Sequence, residues 1–376
     1  VHALGDSCPK ARGIIHLGMT SQDVVCNADL LTIFASIRLT CLKLARLVIG
    51  VGEFAGRSSR TPTLGFTHYQ PAQPVTVGRR AAQWASELKV AQDRLAQDFG
   101  GQLLKVRGLK GATGTQASFQ ELLGGYGAGV SELDQLVSAL LWHEVVSERR
   151  RTIGDTKRLM RPPVIPGMPA GVVVPEMQFS WTLTTQTYPR IYDTFILADL
   201  ASAASVLHKI ATDIRLLCNR KELDEPFEDK QIGSSAMPYK RNPMRCERIC
   251  GLCRFVMNLV GNAYDTAATQ WLERTLDDSS NRRLSLPEAF LALDGALDLM
   301  HNVASGLIVH EAMVRKNLMA ELPFMATENI LMACVKAGGD RQHYHELIRV
   351  HAQAAGMRVK QEGLDNDLLD RLKADP

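Results

Sequence analysis

At 376 residues the chain is longer than one ordinary hydrophobic core serves, so it holds two or three domains or one long extended unit. Hydrophobic residues make up 45% of it and aromatics only 6%, and abundant Ala and Leu favour helices over a β-sandwich. A net charge of +3 is too small to point to nucleic acid or an anionic membrane, and no apolar run reaches the roughly 18 to 20 residues of a membrane span.

Residues 1–28 are mixed and Gly-rich, starting at Val1 without a signal-peptide pattern. Within them, in His16-Leu-Gly-Met-Thr-Ser-Gln-Asp23, the hydroxyls of Thr20 and Ser21 suit a carboxylate. Equally, Ser21 or Asp23 can cap the next helix. That helix is predicted over 29–57, where Leu30, Phe34, Ile37, Leu44, Leu47, Val51 and Phe54 keep helical spacing. Arg60 to Pro74 then reads Arg-Thr-Pro-Thr-Leu-Gly-Phe-Thr-His-Tyr-Gln-Pro-Ala-Gln-Pro, and its three prolines and glycine predict a turn-rich connector. A lone histidine is usually a structural hydrogen-bonder, but His68 lies mid-connector beside Thr67 and Gln70, where a proton donor can meet substrate.

A second long helix is predicted over 75–100, with Val77, Ala81, Trp84, Leu88, Ala91, Leu95 and Phe99 on its seam. Lys110 to Ser118 is a glycine- and hydroxyl-rich loop that lacks the Gly-Lys-Ser/Thr ending of a phosphate-binding loop. Residues 121–188 are the least orderly. Arg149-Arg-Arg151, Pro162, Pro163, Pro166, Pro169 and Pro175 predict a long surface loop or insertion near 148–178. The cleanest seam follows over 190–220, where Ile196, Leu200, Ala203, Leu207, Ile210, Ile214 and Leu217 alternate spacings of four and three. Such a helix is about 45 Å long. The same spacing returns from Leu286 to Leu307. Long helices with small faces predict a mainly α fold: a long-helix bundle assembled as an oligomeric helical core. Residues 311–376 are predicted helical with a break at Gly338-Gly339, and His343, His345 and His351 lack the spacing of a metal site.

Gln231 to Pro243, Gln-Ile-Gly-Ser-Ser-Ala-Met-Pro-Tyr-Lys-Arg-Asn-Pro, has no hydrophobic period and is predicted to be a shaped loop. Asn242 is expected to cap the following helix and Pro243 to open it. Lys240, Asn242 and the backbone N–H groups of that helix N-terminus together suit a developing anion. The bland alternative is a polar surface loop. Cys246-x3-Cys250-x2-Cys253 has the interval of an iron–sulfur motif, but it falls in a helical pattern, where packed thiols are expected instead. The eight cysteines, spread through apolar segments, read as reduced thiols of a cytoplasmic protein. Arg274, Arg282, Arg283 and Ser279 can grip phosphate or carboxylate, or be neutralised locally by Asp277 and Asp278.

Gly233 to Pro243 resembles the signature loop of the fumarase/aspartase superfamily, with eleven contiguous positions in the pattern. The Tyr-Lys-Arg wording resembles its adenylosuccinate lyase branch. Further blocks of resemblance lie at 14–29, 65–73 and 270–283, with another stretch at Thr184 to Tyr188. The resemblance implies β-elimination of fumarate across a C–N bond. Ser234 is implied as base, with Ser235 its rival, and His68 as general acid. Substrate contacts are implied at Thr20, Ser21, Thr67, Gln186, Lys240, Asn242, Arg248, Arg274, Ser279 and Arg283. It further implies a small nucleotide substrate, no cofactor or metal, and homotetramers whose sites draw blocks from three subunits. Residues 1–28 are then expected to be the remainder of an N-terminal domain, 29–310 the bundle and 311–376 a C-terminal helical domain. The family's further histidine, followed by aspartate, would precede Val1, and His2 does not match it. The chain is therefore expected to be trimmed or unable to complete a site alone. Argininosuccinate lyase and a non-catalytic helical oligomer are the rival readings.

Overall fold

The seams become helices in the computed structural model, which describes residues 1–99, 105–124, 128–153, 180–228 and 236–375. Helices α1 (His2–Ser7) and α2 (Ser21–Arg57) lead into strands β1 (Pro62–Thr67) and β2 (Gln70–Thr76). Next come α3 (Val77–Phe99), α4 (Ala117–Leu122), α5 (Ala128–Ile153), α6 (Ile191–Asn219), β3 (Leu223–Asp224), α7 (Met244–Ala268) and α8 (Asp277–Gly306). Strand β4 (Ile308–Val309) pairs antiparallel with β3. It precedes α9 (Glu311–Met325), α10 (Thr327–Lys336), α11 (Arg341–Met357) and α12 (Leu368–Ala374). The break expected at Gly338-Gly339 separates α10 from α11. On α6 every seam residue is at most 5% exposed, so the spacing read from the sequence is the core face.

Several expectations need correction. The connector over 60–74 is an antiparallel hairpin, paired from Pro62↔Thr76 to Thr67↔Gln70. Its prolines argue against a central strand. In a two-stranded ribbon both strands are edges, and a missing N–H can face outward. Residues 128–153, expected to be irregular, form α5, whose Trp142 meets Phe34 of α2 edge-on with ring centroids 5.0 Å apart. Helix α8 begins at Asp277, ahead of the predicted seam, because Asp277 and Asp278 suit the positive end of a helix even without apolar neighbours. Two stretches, Ile191–Asn219 and Glu311–Lys336, are by length and composition apolar enough to cross a membrane. This corrects the expectation that no segment is. The first is a core helix with its apolar window 61% buried, and the second is divided at Ala326 between α9 and α10. Ser234, Ser235 and most of the expected 148–178 insertion lie outside the described residues.

The chain divides into two compact units, one of Val1–Ala45, Lys89–Leu207 and Gly251–Leu297, the other of Arg46–Leu88, His208–Cys250 and Asp298–Pro376. In the first, Leu109, Phe119 and Val130 form a buried cluster against Met19, Leu133 and Val137, which seats the segment before α2 on α4 and α5. In the second, Glu222 fixes the base of the hairpin. It accepts from Thr63 Oγ1 at 3.2 Å, and from Asn317 Nδ2 of α9 at 2.8 Å.

Candidate active site

In the first unit the Thr20–Ser21 pair stands at the start of α2, where the expected cap at Ser21 or Asp23 is corrected. Thr20 is the cap position, and Asp23, three residues on, accepts from the Thr20 N–H at 2.8 Å, the returning half of a capping box. Neither hydroxyl has a protein partner among the described residues, so both remain available to a ligand. Asp23 does more than cap. Its buried carboxylate also accepts from the Arg107 guanidinium and from the N–H groups of Lys110 and Gly111 at 2.8 and 3.2 Å. Fully buried Arg107 donates onward to the carbonyls of Gly111 and Thr185, both at 2.9 Å. One ion pair therefore ties the first block, the 107–111 turn and the stretch carrying Gln186 together. Lys110 is held in turn by Asp134 of α5 at 2.6 Å. The Gly-rich 110–118 loop is thus anchored at its start by a buried lysine paired with Asp134.

Gln186 and Arg274, both expected to contact substrate, meet within this unit. Arg274 Nη1 donates to Gln186 Oε1 at 2.9 Å. With the Gln22 amide oxygen facing it, Arg274 also donates to Gln22 at 2.7 and 3.3 Å. Asp278 lies 3.6 Å from Arg274 Nη2, and Arg274 Nε keeps no partner. Ser279 is half-buried in the first turn of α8, and Arg283 one turn on is exposed. Arg282 is neutralised, but by remote carboxylates rather than by the local Asp277 and Asp278. It is buried and pairs with Asp193 at 2.5 Å, with Asp29 at 3.2 Å and with the Tyr188 hydroxyl. Burial first, then the charge of Asp193, pushes the Tyr188 phenol well above its ordinary range and keeps it neutral. An open cavity of about 460 Å³ is lined by Thr185, Thr187, Tyr188, Arg190 and Tyr264; neither Gln186 nor Arg274 lines it.

In the second unit, His68 and Tyr69 form the turn of the β1–β2 hairpin, with φ of 53° and 58°. Turns of this shape normally use Asn or Gly. Here two bulky residues take the left-handed conformation that such a turn requires. Thr67, His68 and Tyr69 are exposed at the tip. Below it, the Arg220 guanidinium lies 4.9 Å over the Phe66 ring and Arg80 donates to the Leu64 carbonyl at 2.6 Å, so the strand behind the imidazole is firmly seated.

The end of the signature loop is also in this unit, with Lys240 exposed, Asn242 half-buried and Arg248 exposed on α7. The expected caps are corrected here. Pro243, rather than Asn242, supplies the first helical carbonyl, accepting from Glu247 N at 3.0 Å. The capping side chain comes from far upstream. Glu225 accepts from Arg245 N at 3.1 Å and from Cys246 N at 2.6 Å. Met244 N donates to Asn242 O at 2.8 Å. All four leading N–H groups of α7 are therefore occupied, so the helix N-terminus has no backbone donors left for a substrate anion. Sequence reasoning missed Asp23 as a hub, Arg107, Gln22 and Glu225, because each acts through a partner remote in sequence.

The three cysteines of the iron–sulfur spacing lie on α7 and are buried, in keeping with the packed-helix reading. Burial, followed by Asp224 and Glu225, pushes the Cys218 thiol up to about 12. Burial and then Glu225 push Cys246 up as well. These thiols stay protonated and unreactive.

Residues 3–124 and 181–258 match a family model described as Lyase, and 323–376 match one described as Adenylosuccinate lyase C-terminus. The first match omits 125–180, where the insertion was expected. Adenylosuccinate lyase of Schizosaccharomyces pombe is 47% identical over all of this chain and 70% of its own length, and that of Saccharomyces cerevisiae is 45% identical with the same coverage. Among solved structures, the chain resembles the 3-carboxy-cis,cis-muconate lactonizing enzyme from Pseudomonas putida with a TM-score of 0.72 and 24% identity, covering 99% of this chain and 71% of that one. It also resembles the class II fumarase from Schistosoma mansoni with a TM-score of 0.69 and 17% identity, covering 95% and 70%. These structures bear out the fold alone, a mainly helical one built on long helices. Sequence identity along the whole length goes further, and with it the chain belongs to the adenylosuccinate lyase family.

Proposed function

We propose that the protein cleaves adenylosuccinate to AMP and fumarate by β-elimination, and acts likewise on the succinylated aminoimidazole carboxamide ribotide of purine biosynthesis. The observation that carries this reading is the 47% identity to a relative named adenylosuccinate lyase over all of this chain. The intact Gly233 to Pro243 signature supports it.

The chemical problem is a weakly acidic C–H beside a carboxylate. Removing its proton adds negative charge to a group already ionised, so the site must supply donors placed in advance. Ser234 takes the proton. Its hydroxyl becomes a competent base only where cations and donors favour the alkoxide. Lys240 supplies a point charge and Asn242 an amide N–H to the aci-carboxylate. This load falls on side chains, since Glu225 occupies the helix amides. His68 protonates the departing purine amine. Thr20, Ser21, Thr67 and Gln186 hold the succinyl part, while Arg248, Arg274, Ser279 and Arg283 face the nucleotide. The electron pair of the broken C–N bond leaves on nitrogen, and the new double bond is that of fumarate.

The enzyme works as a homotetramer, with each site drawing on several subunits. Exposed apolar side chains on long helices, Ile49, Val90, Phe255 and Leu291 among them, favour such assembly. Its compartment is the cytoplasm, in keeping with eight free cysteines. Turnover of adenylosuccinate by the full-length protein, followed by the absorbance change of the purine and set against release of fumarate from argininosuccinate, tests the reading. Fumarate release from adenylosuccinate alone is the expected result. Release from argininosuccinate alone would assign the chain to that lyase, and release from neither would leave a structural helical oligomer.

A further inference from the structure

We propose that Glu225 is a positioning residue for the elimination, its buried carboxylate clasping the start of α7 so that Lys240 and Asn242 present their donors correctly. This inference rests on the function proposed above.

Glu225 is 8% exposed and lies about twenty residues upstream of the amides it caps. It does not act alone. The Arg245 guanidinium donates to the Pro226 carbonyl, and to Glu228 Oε1 at 3.2 Å. The Arg241 guanidinium lies 4.7 Å over the Phe227 ring. Glu225, Pro226 and Phe227 line a small cavity together with Arg241, Asn242 and Pro243. Residues 225–228 therefore grip residues 241–246, tying the stretch before the signature segment to its C-terminal end. A carboxylate on two successive amides at a helix start is a charge-assisted contact that the helix dipole strengthens. It would be an odd investment for a surface loop, because an anion-binding helix terminus is consumed in making it. Its consequence is geometric. Asn242 immediately precedes the clasped turn and Lys240 is two residues further back, so the clasp fixes the direction from which both approach.

The test compares Glu225→Gln and Glu225→Ala with Ser234→Ala in the full-length enzyme, measuring kcat and KM for adenylosuccinate together with the thermal midpoint. Glutamine keeps the shape and one acceptor but turns a donor toward a donor. Misplacement by about 1 Å is enough for a hundredfold effect. Glu225→Ala should lose about a hundredfold in kcat and Glu225→Gln about tenfold. KM should stay within about threefold of the parent, because binding and chemistry are separately supplied. A merely structural role would lower the thermal midpoint and leave kcat per folded enzyme unchanged, and that result overturns the proposal. If the alanine variant does not fold, the glutamine variant decides by itself. Normal turnover in Ser234→Ala would remove the base assignment instead, whereas an inactive Ser234→Ala beside a fully active Glu225→Gln overturns the clasp alone.

Discussion

The Ser234→Ala enzyme should bind adenylosuccinate and release fumarate about a thousandfold more slowly than the parent, the middle of the range that one proton-transfer group contributes. The hydroxyl is the sole group in this assignment that removes the carbon-bound proton, so its loss falls on kcat while the contacts to the succinyl and nucleotide parts survive. A binding measurement on the variant, paired with single-turnover kinetics, separates the two effects. Ser235→Ala should keep most of its turnover. The reverse pattern would move the base to the neighbouring hydroxyl, and near-parental rates in both would remove the signature loop from the chemistry. Lys240 and Asn242 make the serine assignment physically reasonable, because a neutral hydroxyl needs surrounding charge before it gives up its own proton.

His68→Gln should lose about a hundredfold in kcat, as expected for removing a general acid. Glutamine keeps a polar side chain at the hairpin tip, so folding is not the target. A general acid must hold its proton to act. The parent and the variant should therefore differ in the shape of their pH–rate profiles. A variant whose pH–rate profile matches the parent's would argue that another group protonates the leaving amine.

What could be read from the sequence follows from what physics writes locally. The α6 seam announced itself through its period, and all of its residues are buried. Resemblance put Gln186 and Arg274 in one substrate-binding set, but nothing in the sequence announced that they pair. The hairpin around His68 was hidden by its prolines, which a two-stranded ribbon accepts and a wider sheet refuses. Helix α5 was obscured by the proline-rich run that follows it. The cap of α7 was misread because Asn242-Pro243 looks self-sufficient, whereas the actual acceptor, Glu225, is set by tertiary contact. Likewise nothing near Arg107 in the sequence names Asp23 as its partner. Buried charges are legible once their counter-charges are placed, and that placement is a property of the fold.

The proposed elimination needs one acid, His68, and one base, Ser234, in a site that the proposed tetramer assembles from several subunits. Mixing Ser234→Ala with His68→Gln protein, under conditions that let subunits exchange, tests this most directly. Some mixed assemblies then hold a site with both side chains intact, so fumarate release should rise well above the sum of the two parents. Activity that stays at that sum after proven exchange would contradict the account.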